Sequence, residues 1–117
     1  MKLSTATIIL PDADNAGSPL VDQRCTIETK LGHAFGGFTR TVGQGFWVDP
    51  DTGKDYRETV WVYSIAAEWN AGACIQLRSI ARIAAEIMGQ ECIYIETPLL
   101  GVQFIAPLED AAATAVA

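Results

Sequence analysis

The sequence predicts an α+β fold in which two helices cover one face of an antiparallel β-sheet. Segments with strand-like and helical hydrophobic patterns alternate in the order β-α-β-β-α-β along 117 residues, and turn-forming residues separate neighbouring segments. Half of the residues are hydrophobic, as expected of a compact globular chain. A chain of this length buries one core, so we expect a single domain over residues 1–108 and a flexible tail over residues 109–117.

The first strand and the first helix are predicted from an apolar run and a helix start signal. Residues 3–10 are apolar and rich in β-branched side chains, and the turn-rich loop PDADNAGSP follows them. Ser18 before Pro19 has the pattern of a helix N-cap and first helical position. Apolar residues then repeat at spacings of three and four until Gly36 and Gly37, where we expect the helix to end.

A long hairpin follows the first helix. Residues 38–48 and 56–66 are strand-like, and the segment DPDTGK between them supplies turn residues. Gly43 and Gly45 interrupt the first arm, which indicates either a β-bulge or a position where another group approaches the backbone closely.

A second helix and two short strands complete the chain. A helical period extends from Asn70 to Gly89, and ECIYIE and GVQFIA are strand-like. This order is that of a ferredoxin-like plait with a fifth strand as an option.

The uncovered face of this sheet indicates self-association. In the later strands apolar residues occupy both alternating positions, for example Val60 and Val62 against Trp61 and Tyr63. An exposed apolar patch of that extent usually marks an interface, so we expect a homodimer or a larger homo-oligomer. The alternative is a sheet closed over by the tail.

Composition excludes several classes of partner. The formal net charge is −6 with only eight Lys and Arg residues, which argues against binding to duplex nucleic acid or to an anionic membrane surface. The N-terminal apolar run stops at Pro11 and is shorter than a signal sequence or a membrane span, so we expect a cytoplasmic protein. Cys25, Cys74 and Cys92 lack CxxC spacing, and we expect three core or near-core thiols.

No residue pattern predicts a catalytic group, a metal or a cofactor. Asp12, Asp14 and Asn15 resemble part of a calcium loop, but the required glycine and distal glutamate do not follow. His33 is the single histidine and has no metal-ligand spacing. No nucleophile elbow is present.

The candidate ligand site lies in the glycine- and aromatic-rich segment of residues 35–58. Aromatic rings offer flat walls for a nucleobase, and guanidinium groups bind phosphate. Arg24 joins this set because helical spacing places it near the apolar stripe of the first helix. The predicted ligand-binding residues are Arg24, Phe38, Arg40, Trp47, Tyr56 and Arg57. The alternative is that the glycines serve the hairpin and the aromatic rings pack on the sheet.

The layout FGGFT…GQGFWVDPDTGKDYRE…GQECIYIE…GVQF, over roughly residues 7–105, resembles a group of small phage, plasmid and bacterial proteins of unknown function. More distantly it resembles the phage proteins that defeat the Thoeris immune system by sequestering a cyclic ADP-ribose signal. That resemblance implies a homo-oligomer with ligand sites shared between subunits, and it directs attention to Arg24, Arg40, Trp47 and Arg57.

The sequence therefore favours a protein that binds a nucleotide-derived immune signal, cyclic ADP-ribose or a cyclic nucleotide, without chemical change. Two alternatives stay open: a small dimeric enzyme of this fold acting on an apolar substrate, and an inhibitor that docks on a protein of a host defence system.

Overall fold

The computed structural model describes residues 2–107 of the chain, which form a five-stranded antiparallel sheet and two helices. The elements are β1 Ser4–Pro11, α1 Val21–Phe35, β2 Thr39–Val48, β3 Asp55–Ala67, α2 Ala71–Ile87, β4 Ile93–Thr97 and β5 Gly101–Ile105. The strand order is β2-β3-β1-β4-β5. The predicted ferredoxin-like α+β fold is confirmed, with β5 as the fifth strand at one edge.

The hydrophobic core lies between the helices and one face of the sheet. Ile8 pairs with Tyr63 on one side and with Ile95 on the other, and all three side chains are fully buried. Leu31 of α1 and Leu77 of α2 pack on them within the same cluster. Since side chains alternate across a strand, the neighbours of these residues point to the opposite, open face.

Helix α1 ends where the sequence predicts but starts later. Gly36 has φ 89° and its N–H donates to the carbonyl of Gly32, which is the left-handed helix end that favours glycine. The predicted N-cap at Ser18 is wrong, because the Ser18 N–H donates to the Asp14 carboxylate at 2.8 Å within a loop turn. The helix instead starts after Leu20, which makes no side-chain cap.

Helix α2 starts after Asn70, in agreement with the sequence. The Asn70 side chain accepts a hydrogen bond from the Ala73 N–H at 2.9 Å, which satisfies one free donor of the first turn. Within residues 2–107, no helix is long and apolar enough to cross a membrane.

The glycines of β2 do not form a bulge. Pairing between β2 and β3 is continuous from Thr39 opposite Ser64 to Val48 opposite Asp55. A Cβ atom at Gly43 would lie 3.4 Å from the Cγ2 atoms of both Val60 and Val62. The glycines therefore leave room for β3 side chains beside them. Of the two interpretations that the sequence offered, the close approach of another group to the backbone is the one that applies.

The expectation of three core or near-core thiols is wrong for two of them. Cys74 on α2 is buried, whereas Cys25 and Cys92 are exposed. Cys25 lies on α1 away from its buried positions Arg24, Ile27 and Leu31. The tail predicted for residues 109–117 lies outside the described residues.

No described residue covers the open face of the sheet. Val102 and Phe104 of β5 are 48% and 68% exposed there, and Trp47 of β2 is 49% exposed. The outer part of the β2–β3 hairpin also carries exposed apolar side chains on its helix side, Val42 and Phe46. Apolar surface is thus left on both faces of the hairpin.

Candidate functional site

The two faces of the β2–β3 hairpin divide the six predicted ligand-binding residues. Directly opposed residues share a face, so Arg40 lies with Tyr63 on the helix side, whereas Trp47 lies with Tyr56 on the open side. Arg57 stands opposite Phe46 in the strand register, and both side chains lie on the helix side. The structure therefore does not bring all six residues around one hollow.

Trp61 is the centre of the contacts on the helix side. The guanidinium groups of Arg24 and Arg40 lie over its ring, at 5.3 and 4.9 Å from the centroid. Its indole N–H donates to Oδ1 of Asp12 at 2.9 Å. We call Asp12, Arg24, Glu28, Arg40, Trp61 and Tyr63 the Trp61 cluster.

Arg24 is held by the end of β1 as well as by Trp61. Its Nη1 donates to the Asp12 carbonyl at 2.8 Å and lies 3.6 Å from the Asp12 carboxylate. The Arg24 side chain is only 9% exposed, while that of Asp12 is 44% exposed. Arg24 is thus a fixed part of the cluster, and Asp12 presents a carboxylate to solvent.

Glu28 connects Arg40 and Tyr63, two further members of the Trp61 cluster. It accepts hydrogen bonds from the Tyr63 hydroxyl, at 2.7 Å, and from Arg40. Burial raises the pKa of Tyr63, and the hydrogen bond to Glu28 raises it further, so the phenol stays neutral and donates. The hydrogen bond to Glu28 likewise raises the pKa of Arg40.

Phe38 contacts this cluster from the start of the hairpin. Its ring makes an edge contact with Tyr63 at 5.2 Å between centroids. Three predicted residues, Arg24, Phe38 and Arg40, therefore lie together. Both arginines already have carboxylate partners, which leaves the cluster close to neutral.

The tip of the hairpin holds the other three predicted residues. Trp47 stacks on Tyr56 with ring centroids 4.4 Å apart and planes 13° apart, on the open side. The Arg57 guanidinium lies 4.8 Å from the centroid of the Phe46 ring, on the helix side. Among residues 2–107, Arg57 forms no ion pair.

A continuous strip runs along the helix side of the hairpin between these two groups. We define the hairpin strip as Arg40, Val42, Gln44 and Phe46 on β2 with Arg57, Thr59 and Trp61 on β3, paired by the register. Val42 and Phe46 are 56% and 55% exposed. From Arg57 to Trp61 the strip spans about 14 Å by strand rise. It joins an exposed apolar surface to Arg57 at one end and to the Trp61 cluster at the other.

Two shallow clefts lie elsewhere. One, of about 480 Å³, lies between the end of α1 and the start of α2 and includes Phe35, Glu68 and Gln76. The other, of about 460 Å³, lies between the loop after β1 and the end of α2 and includes Asp14 and Glu86. Neither contains any of the six predicted residues.

Trp61 and Glu28 were missed by the sequence prediction. Trp61 lies in a strand with apolar residues at both alternating positions, so nothing distinguished its ring from sheet packing. Glu28 lies four residues after Arg24, on the same helix face, and that spacing was the available signal. No group of three or more metal-ligating side chains occurs within the described part of the chain.

No protein-family model matches the sequence, and no curated protein matches it. Solved structures do resemble the fold. A phage SAM lyase in complex with S-methyl-5'-thioadenosine superimposes with a TM-score of 0.62 and 11% identity over 88% of this chain and 81% of that chain. The apo form of a phage SAM lyase gives a TM-score of 0.61 and 13% identity over 88% and 81% of the two chains.

A third similar structure is a Bacillus cereus protein related to NIF3, with a TM-score of 0.54 and 12% identity. It matches 88% of this chain but only 25% of its own. At these identities the likeness establishes the fold alone. The chain thus shares its architecture with a small phage protein and with one part of a larger bacterial protein.

Proposed function

We propose that the protein binds a small adenosine-type ligand on the hairpin strip and sequesters it unchanged. The observation that carries this proposal is the pair of exposed apolar side chains, Val42 and Phe46, between a free arginine and the Trp61 cluster. Exposed apolar side chains on one face of a strand often mark a binding surface, and their position beside a cation suits a flat ligand that carries phosphate or ribose oxygens.

Each part of the strip has a chemical role in this proposal. Phe46 and Val42 supply the apolar surface for the base, and Arg57 binds a phosphate or a ribose oxygen. The part-exposed Asp12 carboxylate accepts a ribose hydroxyl. Arg24 positions Asp12 and Trp61 and does not itself contact the ligand, because its side chain is almost fully buried.

Three features support the ligand class. The net charge of −6 opposes polyanionic nucleic acid, whereas one free arginine suffices for a small anion. The similar phage structure is that of a SAM lyase with S-methyl-5'-thioadenosine, an adenosine derivative. The sequence resemblance to cyclic ADP-ribose sponges suggests the same class, with an anti-defence role in a host cytoplasm.

A second candidate is an enzyme that cleaves the same ligand. The observation that favours it is the Glu28 carboxylate, which Tyr63 and Arg40 hold beside the strip with 17% of its side chain exposed. The fold likeness to a lyase also supports this candidate. The two candidates differ in the fate of the bound molecule.

Calorimetry with a defined panel tests binding: S-methyl-5'-thioadenosine, S-adenosylmethionine, cyclic ADP-ribose isomers and cyclic mononucleotides. We expect heat of binding for at least one compound, and at least tenfold weaker binding in Phe46→Ala and Arg57→Gln. Both side chains are exposed, so the fold should persist. Trp47→Ala is the matched control, since Trp47 is a similarly exposed ring on the opposite face of the same strand.

Heat from no compound would contradict the proposal. Loss of binding in Trp47→Ala but not in Phe46→Ala would move the site to the open face. For a ligand that binds, mass spectrometry after denaturation separates the two candidates: the intact compound supports sequestration, and its fragments support an enzyme.

We also propose that the protein is a homo-oligomer that associates through the open face of the sheet. The exposed Val102, Phe104 and Trp47 on that face support this proposal. The resemblance to the sponge proteins points the same way.

A further inference from the structure

The seam between α2 and β5, at the sheet edge opposite the hairpin, contains charged and polar side chains that the proposed function does not use. Ala73 and Gln76 of α2 line a cleft with Ala34 and Phe35 of α1, which fixes the flank of α2 that faces α1. At 100° per residue, Arg78 and Arg82 lie on the opposite flank. Contacts between α2 and β5 place that flank over the sheet edge.

Two buried polar atoms in this seam have no partner among residues 2–107. They are Nε of Arg78 on α2 and Oε1 of Gln103 on β5. Gln103 pairs with Ile95, a core residue, and so points toward the helices. Buried polar groups in native proteins almost always have partners, so these two atoms mark the seam as a polar border of the core beside β5.

The charge of the seam is also uncompensated. Within the described chain the ion pairs are Arg24 with Asp12 and Arg40 with Glu28, and neither Arg78 nor Arg82 takes part. These two arginines are one helical turn apart on the same flank. In a protein of net charge −6, they form a local cationic site beside a β-strand.

Strand β5 presents one side of its backbone without a neighbouring strand in the described residues. Val102 and Phe104 beside this edge are exposed, and so are Leu99 and Leu100 in the turn before it. An unpaired strand edge with apolar side chains is a template for an added strand. An extended segment offers both amide donors and carbonyl acceptors along its length.

We propose that β5 binds an extended acidic segment of a partner protein as a sixth strand of the sheet. Its backbone pairs with β5, its apolar side chains contact Phe104 and Val102, and its carboxylates pair with Arg78 and Arg82. Two-fold pairing of β5 with itself would bring four arginines together, and this repulsion opposes a second copy of the chain as the occupant. The partner is thus a different, acidic polypeptide.

Fluorescence anisotropy with a labelled eight-residue peptide of alternating valine and glutamate tests the proposal on the full chain. The same peptide with lysine in place of glutamate is the control. We expect the glutamate peptide to bind and the lysine peptide not to bind. Arg82→Glu should weaken binding of the glutamate peptide about tenfold or more and allow the lysine peptide to bind. Lys30→Glu, an equal charge change at an exposed site on α1, should have no effect.

Hydrogen exchange reports the added strand directly. The glutamate peptide should slow amide exchange in residues 101–105 and leave residues 39–48 unchanged. The proposal is overturned by absence of binding, by equal weakening in Lys30→Glu, or by binding without protection of β5. Protection that increases with protein concentration alone would assign the edge to a second copy and would also overturn it.

Discussion

Arg24 shows how a charged residue becomes part of a protein interior. Its guanidinium group donates to two backbone carbonyls at the end of β1, those of Pro11 and Asp12, and lies over Trp61. These partners compensate for the loss of hydration at a side chain only 9% exposed. The spacing of the sequence predicted that Arg24 lies near the apolar stripe of α1. Its partners could not be predicted in this way, because they come from the end of β1 and from β3.

Replacement of Arg24 by methionine should therefore destabilise the protein. Met keeps the packing volume but removes the Arg24 hydrogen bonds to the Pro11 and Asp12 carbonyls and the cation beside the Asp12 carboxylate. We expect a loss of about 2 kcal/mol in the free energy of unfolding, reduced from a fully buried pair because Asp12 is part-exposed. Urea unfolding measures this value. Arg57→Met, at an exposed site, should change it by less than about 0.5 kcal/mol, and equal losses would contradict the account.

Tyr63 gives the stability of the protein a dependence on alkaline pH. Its pKa is raised in the folded state, so the folded protein retains the phenol proton more tightly than the unfolded chain does. The contribution is complete below the unfolded pKa of about 10 and is lost as pH rises above that value. Urea unfolding at pH 8 and at pH 11 should show this fall in wild type.

Tyr63→Phe should reduce the fall between those two pH values, because the residue no longer titrates. Tyr56→Phe, which removes a hydroxyl from the hairpin tip, serves as the control and should keep the wild-type fall. An identical fall in Tyr63→Phe and in wild type would mean that other groups cause the dependence.

At the scale of elements, the glycines of α1 make opposite contributions. Gly36 ends the helix at φ 89°, where a Cβ atom strains the backbone. Gly32 lies within the helix, and a Cβ added there meets no atom within 4 Å. The two positions are chemically alike and differ only in backbone conformation.

We therefore expect Gly36→Ala to lower the free energy of unfolding by about 1 kcal/mol and Gly32→Ala to raise it by about 0.5–1 kcal/mol. Thermal unfolding of the two variants beside wild type provides the measurement. Shifts of the same sign would show that the helix end is not held in the left-handed conformation.

The order of the elements and the end of α1 were predictable because they depend on local signals. Hydrophobic period, the Asn70 cap and the Gly36 end each act within a few residues. The start of α1 was not predictable, because the Ser18 N–H donates to the Asp14 carboxylate and Ser18 is thereby held away from the cap position. The glycines of β2 were ambiguous for a similar reason, since their neighbours Val60 and Val62 come from another strand.

The candidate site was predicted less completely than the fold. Arg24, Phe38 and Arg40 meet as a group, but the alternation of side chains sends Trp47 and Tyr56 to the other face of the sheet. Sequence spacing alone does not fix which positions of two strands stand opposite each other. The register decides this, and it depends on the turn at residues 49–54.

At the scale of the whole molecule, the open face should decide the assembly state. Phe104 is the most exposed of the large apolar side chains within residues 2–107, and its replacement by a carboxylate should prevent contact between apolar faces. We expect Phe104→Glu to be monomeric by light scattering at a concentration where wild type is oligomeric. Val21→Glu, an exposed apolar residue of α1, is the control and should keep the wild-type mass. A monomeric wild type would refute self-association.

The bond from Trp61 to Asp12 has a mechanical consequence. Asp12 immediately follows β1 and its carbonyl also accepts the Leu20 N–H at the entry to α1, so one residue ties the hairpin to the helix. A force that bends the hairpin away from the body therefore loads this residue together with the bonds of Glu28 to Tyr63 and Arg40. A molecule bound on the hairpin would therefore also stiffen the first turn of α1.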